Sequence, residues 1–124
     1  MFLLNLQSKV PIYEQIQTQI LRFIEAGVLR PGDKLPSVRQ LAQENGINPN
    51  TAVRIYQELE REGVCRTRRG LGTFVTEDEG RIRLMKEEMA RSAVERVIGE
   101  LAGLGFSRME AAKIILEETE NAEK

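Results

Sequence analysis

At Gly46-Ile47-Asn48-Pro49 the chain stops one helix and starts another with almost no connection between them. Gly46 suits the left-handed conformation that closes a helix. Asn48 is a strong N-cap, and Pro49 is a favoured first helical residue because its missing N–H costs nothing there. Upstream, Ser37 and Gln40 have the spacing of a capping box, and Val38, Leu41 and Ala42 supply a buried side. Downstream, Ala52, Ile55, Tyr56 and Leu59 recur at helical spacing until Gly63. Ile47 anchors the turn. Two short helices at so tight a turn predict a helix-turn-helix.

The flanks extend this module. Ile12, Ile16, Ile20, Phe23 and Ile24, with Tyr13 beside them, predict an amphipathic helix of about four turns that Pro11 opens and Gly27 ends. Phe2, Leu3 and Leu4 form an arm that packs on the body or on a partner subunit. After Gly63, Val64–Thr67 and Thr73–Thr76 read as two strands with Arg68-Arg69-Gly70-Leu71-Gly72 as their tip, and Val64, Phe74 and Val75 pack on the helices. The expected fold class is mainly α with a small β-hairpin: a winged helix-turn-helix over residues 1–76, followed by a two-helix dimerisation element over residues 77–124.

Charge divides at the same place. Residues 1–76 carry 10 Lys/Arg against 7 Asp/Glu, a net of +3, and residues 77–124 carry 8 against 12, a net of -4. A basic front and an acidic rear fit a half that meets polyanion and a half that stays off it. The single cysteine, Cys65, permits no intrachain disulfide; a packed thiol and a redox-sensing one both remain open, the packed one favoured. The chain has no histidine, so the commonest zinc ligand and general base are missing. Glu87, Glu88, Glu117 and Glu118 read as solvated helix faces, and neither catalysis nor a metal or other cofactor is expected. No apolar run reaches the ~20 residues that span a bilayer, and the start is a poor signal peptide, so a cytoplasmic location is expected.

In the rear, a long helix is predicted over Ile82–Ala102. Its apolar positions Ile82, Met85, Met89, Ala93, Val97 and Leu101, in steps of three and four, make a seam that Ala90, Val94 and Ile98 widen. Gly103-Leu104-Gly105 breaks it. Ser107 and Glu110 form a second capping box, and Met109, Ala112, Ile115 and Leu116 line a final helix. These helices either fold back on the front or pair with a second subunit; the second is favoured, because so long an apolar stripe is otherwise exposed.

The residues opening a recognition helix point at base edges in the major groove. Here they are Pro49, Asn50 and Thr51, which follow the cap Asn48. Asn50 can pair with adenine, and Thr51 can meet a base, a phosphate or a thymine methyl. Arg39, early in the preceding helix, can take a guanine edge or clamp a phosphate. The Ser37 helix terminus can meet a phosphate oxygen, and Arg54 faces the backbone. Arg66, Arg68, Arg69 and Gly70 concentrate charge and backbone freedom at the wing, where strand alternation must divide the roles of the arginines.

The stretch LPSVRQLAQENGINPNTAVRIYQELEREGVCRTRRGLGTFV, with PIYEQIQTQILRFIEAGVLRPGDK before it, resembles the DNA-binding domain of the GntR family of bacterial regulators, within its YtrA-like subfamily. The resemblance covers about Val10–Val75. It implies a base contact by Arg39, base and phosphate contacts by Pro49, Asn50 and Thr51, a phosphate at Ser37, and a wing tip around Gly70 in the minor groove. The short rear resembles the subfamily's homodimerising element, and many such proteins repress operons for ABC-type transporters. Larger members open the recognition helix with SRTTVR; this chain has NPNTAVR, so Arg54 is displaced by one position, about 100° around the helix. Their operator preference does not transfer whole.

The partners expected are therefore double-stranded DNA, as an inverted repeat, and a second copy of the chain. The rear is too short to enclose a metabolite within one subunit, which leaves a small effector site between subunits open. The rival readings are an architectural DNA-binding protein, with affinity falling steeply in salt, and an adaptor whose acidic rear recruits another protein.

Overall fold

The computed structural model describes residues 1–123. Helix α1 (Ile12–Glu25) follows Pro11, which stands at its N-cap, and buries Ile16, Gln17 and Ile20. Helix α2 (Val38–Asn45) and helix α3 (Pro49–Arg61) are separated by Gly46, Ile47 and Asn48. Gly46 has φ 61°, the left-handed geometry the short connection needs. All four inward positions read for α3 are buried: Ala52, Ile55, Tyr56 and Leu59. The Tyr56 hydroxyl donates to the Pro36 carbonyl at 2.6 Å, which ties α3 to the entry of α2.

The hairpin is antiparallel, β1 (Cys65–Arg68) with β2 (Gly72–Val75), in the register Cys65↔Val75, Arg66↔Phe74, Thr67↔Thr73 and Arg68↔Gly72. Each strand lies one residue from its expected bounds. Val64 and Val75 are buried as expected, whereas Phe74 is half-exposed and Thr73 takes the inward place. The register explains the exchange: Thr73 and Val75 share a face, and Phe74 lies on the other. The hairpin also has a third rung. Leu35 N–H donates to the Thr73 carbonyl and Val75 N–H to the Asp33 carbonyl, each at 2.8 Å, with Lys34 bridging Phe74. Two strands alone are marginal in water, and this added pairing roots the wing on the chain that leads into α2.

The N-terminal arm packs on the body. Phe2 is fully buried, with its ring 6.3 Å from that of Phe23. Three amide side chains serve as a substitute strand for the arm backbone. Gln19 accepts from Leu3 N–H (3.0 Å) and donates to the Leu3 carbonyl (2.7 Å). Gln15 does the same for Asn5 (2.8 and 3.0 Å), while Asn45 accepts from Leu4 N–H and donates to the Phe2 carbonyl, both at 3.0 Å.

The chain divides into two compact units, Met1–Met89 and Ala90–Lys124. Helix α4 (Glu79–Gly103) runs through the division. Its first turns belong to the first unit, which corrects the expectation that Met85 lies on a seam between subunits. Met85 is fully buried in the core with Ile16, Ile20, Leu41 and Leu59, and Met89 packs against that core. The second unit pairs the rest of α4 with helix α5 (Arg108–Glu123). The Ser107–Glu110 capping box forms, at 3.1 and 2.9 Å, and Arg108 holds Glu95 with two hydrogen bonds. Ala111 is the buried alanine of α5, in place of Ala112, and Met109 and Leu116 lie exposed.

Cys65 is buried, and desolvation, with a smaller contribution from the Glu60 charge, pushes its thiol up to about 12. A protonated thiol neither attacks a disulfide nor forms one readily. Under native conditions near neutral pH, Cys65 is therefore expected to resist a thiol reagent that labels it stoichiometrically in denaturant; rapid native labelling would restore the redox reading. Unfolding returns the thiol to its ordinary value of about 8.5. Its stabilising contribution is thus complete below that pH and is lost as pH rises toward 12.

Candidate nucleic-acid interface

The local sequence fixes the two helix starts that matter. Ser37 Oγ accepts from Gln40 N–H at 3.0 Å, and Gln40 Oε1 accepts from Ser37 N–H at 2.8 Å. This reciprocal cap leaves Arg39, the second residue of α2, pointing outward and exposed. At α3, Asn48 Oδ1 accepts from Asn50 N–H at 2.8 Å, and Pro49 occupies the first position. The side chains of Asn50 and Thr51 are thereby left exposed at a helix N-terminus, the end where unsatisfied N–H groups favour an anion. Arg39 and Pro49 line the same shallow recess, with Val38, Ala42, Gln43 and Ile47. The structure thus joins the α2 and α3 positions at one surface.

Arg54 lies on the exposed side of α3, opposite its buried stripe. Two neighbours there, Val53 and Gln57, carry no DNA contact in the reading from sequence. Val53 is 38% exposed and Gln57 is also exposed. Asn50, Arg54 and Gln57 follow steps of four and three on the face away from Ala52, Ile55 and Leu59, so helical spacing carried the signal.

Strand register divides the wing arginines. Arg66 stands directly across from Phe74, and the Arg68 guanidinium lies 5.4 Å from the Phe74 ring centroid, so both flank one half-exposed aromatic on the outer face. Arg69 and Gly70 lie in the tip, where Gly70 has φ 77° and open space around its missing Cβ. Lys34 was also passed over. Its side chain lies against Gly72, where a Cβ would come 2.8 Å from Lys34 Cε. Lys34 reaches the wing through the third rung of the sheet, a pairing that no local pattern announces. The wing is fastened to α3 as well: Thr67 Oγ1 hydrogen-bonds Glu60 at 3.0 Å.

The remaining expected positions lie on α4 and α5. Ile82, Met85 and Met89 fall in the first unit, and Ala93, Val97, Leu101 and Ile115 in the second. There, Val97, Leu101, Ile114 and Ile115 line an open groove of about 660 Å³. Val94, Leu104, Met109 and Leu116 are each at least half exposed in this two-helix unit.

The bacterial regulatory proteins of the gntR family match residues 12–75, from the start of α1 to the end of β2. The chain belongs to the GntR family. Within it, the HTH-type transcriptional repressor YtrA of Bacillus subtilis is 43% identical over 72% of this chain and 73% of its own length. The HTH-type transcriptional regulator YhcF of the same organism is 42% identical over 84% of this chain and 86% of its own. A GntR family transcriptional regulator from Listeria monocytogenes shares the fold with a TM-score of 0.67 and 36% identity, covering 90% of this chain and 97% of that one. These likenesses assign this GntR protein to the YtrA-like subfamily as a DNA-binding transcription regulator, a non-catalytic class. Among the described residues of this GntR regulator, no helix is long and apolar enough to cross a membrane.

Proposed function

We propose that the chain is a homodimeric repressor that binds an inverted-repeat operator. In each half-site, α3 enters the major groove and presents Asn50 and Thr51 to base edges, with Arg39 beside them and Ser37, Asn48 and Arg54 toward phosphates. The wing tip, with Arg66, Arg68, Arg69 and Gly70, follows the adjacent minor groove. The observation that carries this reading is the exposed polar end of α3 next to exposed Arg39, on a helix whose opposite face is wholly committed to the core. The recess beside Pro49 adds an apolar surface for a thymine methyl.

Residues 1–76 carry the DNA-binding surface, the first turns of α4 complete the core beneath it, and the second unit, from Ala90 on, acts as the pairing element. Support for pairing comes from the second unit, where two helices alone leave Val94, Val97, Leu104, Met109 and Leu116 exposed. Repression follows from occluding polymerase, in line with YtrA being a transcriptional repressor. An operon for an ABC-type transporter is the target class that the subfamily resemblance favours. An effector, where one acts, would sit between subunits and alter the separation of the recognition helices.

Selection of bound sequences from a random DNA pool, followed by affinity at several salt concentrations, tests the reading. The expected result is an inverted repeat with half-sites one helical turn apart, or a multiple of that, preferred over random DNA by roughly 10³-fold or more. Binding without enrichment, falling steeply with salt alone, would replace it with an architectural role.

A further inference from the structure

Arg81 is in the first turn of α4, where a cation opposes the helix dipole and an acidic residue is the ordinary choice. Such a local violation calls for a compensating contact elsewhere. Its Nε donates to the backbone carbonyl of Glu62, the C-cap residue of α3. Its Nη2 lies 4.0 Å from the Glu62 carboxylate and 3.8 Å from that of Glu88, farther along α4. The side chain is only 15% exposed. The last carbonyls of a helix have no partner within it and carry the negative end of its dipole. The last turn of α3 carries Arg61, and Gly63 and Val64 N–H donate to the Glu60 and Leu59 carbonyls; Arg81 adds a second cation and takes the Glu62 carbonyl, and it does so from α4.

Arg81 is also in the wrong place for a phosphate contact. It meets α3 at the end opposite Asn50 and Thr51, and the 13 residues of that helix span about 20 Å. The N-terminus of α4 is fixed independently. Asp78 accepts from Arg81 N–H at 3.1 Å, and Thr76 Oγ1 accepts from Asp78 N–H at 3.1 Å, so the chain passes from the wing into α4 through two short caps. Arg81 is the first-turn side chain of α4 that binds the C-terminal end of the recognition helix, one turn before Met85 enters the core that holds Leu59.

We infer that Arg81 is a positioning residue: it fixes the recognition helix relative to the first turns of α4, and so sets which half-site spacing the dimer accepts. This rests on the dimeric, operator-reading function proposed above. A contact that only stabilised α3 would affect one half-site and two alike, whereas a contact that fixes orientation matters only when two half-sites must be met at once.

The experiment compares the full-length wild type with Arg81→Met and Arg81→Lys, each first shown folded by circular dichroism. The probes are DNA with a single selected half-site, the selected repeat, and repeats whose spacer is longer or shorter by one or two base pairs. Arg81→Met is expected to bind the single half-site within about threefold of wild type but the native repeat about tenfold more weakly, an ordinary size for coupling between sites. It should also rank the spacers less sharply, and Arg81→Lys, which keeps the charge and a donor, should recover part of that ranking. If Arg81→Met does not fold, Arg81→Lys against wild type provides the same comparison. An unchanged spacer ranking, or equal losses on one half-site and two, would overturn the inference. A wild type that enriches no sequence or ignores spacing would instead bring down the reading beneath it.

Discussion

Replacing Arg39 by alanine is expected to weaken operator binding by about 1–3 kcal/mol, roughly 5- to 150-fold, with the loss concentrated at one base pair of each half-site. Arg39 is exposed beside the capped start of α2, so its removal should leave stability within about 0.5 kcal/mol, as for most surface substitutions. Titration of the variant against the operator and a panel of single-base changes separates the outcomes. Loss of discrimination at one position marks a base contact. A uniform loss across the panel reassigns Arg39 to a phosphate, and unchanged affinity removes it from the interface. Arg68→Ala provides the contrast. Its guanidinium rests on Phe74 at the wing, which is proposed to follow the minor groove and backbone, so its removal is expected to weaken binding nearly uniformly across sequences. The salt slope should fall by about 1 for each phosphate no longer neutralised.

The surface proposed to face DNA was largely legible because its determinants are local. Ser37–Gln40, Gly46 and Asn48–Pro49 are capping and turn signals that act over three residues or fewer, and each adopts the geometry its spacing announces. The buried stripe of α3 was equally readable from its period. What escaped depends on partners far away in sequence. Gln15, Gln19 and Asn45 look like solvated helix polars until the arm lies across them. The place of Lys34 at the wing follows from a bridge to Phe74, forty residues on. Gln17 falls on the buried side of α1 at 2% exposure, where periodicity alone would put an apolar residue. Met85 was the most consequential case. A helical stripe shows that a face is covered without showing by what, and the same spacing that suits a seam between subunits also suits the core of the chain's own first unit.

That ambiguity decides how dimerisation is best tested. A charge at Met85 or Met89 would enter or crowd the core of the first unit and damage DNA reading whether or not the chain pairs. Val97→Asp avoids this. Val97 is 43% exposed in the single chain and lines the groove of the second unit with Leu101, Ile114 and Ile115, so an aspartate there stays hydrated in the monomer. In a pairing interface the same carboxylate would be desolvated without a partner, at a cost of several kcal/mol, or a dimer weakened by about 100-fold or more. Sedimentation at micromolar concentration is expected to show the wild type as a dimer and Val97→Asp as a monomer. The variant should then keep wild-type affinity for a single half-site and lose the added affinity of the repeat, because the two recognition helices no longer arrive joined. An unchanged dimer would place the interface away from this groove. A monomeric variant that still binds the repeat as tightly as wild type would separate pairing from operator recognition altogether.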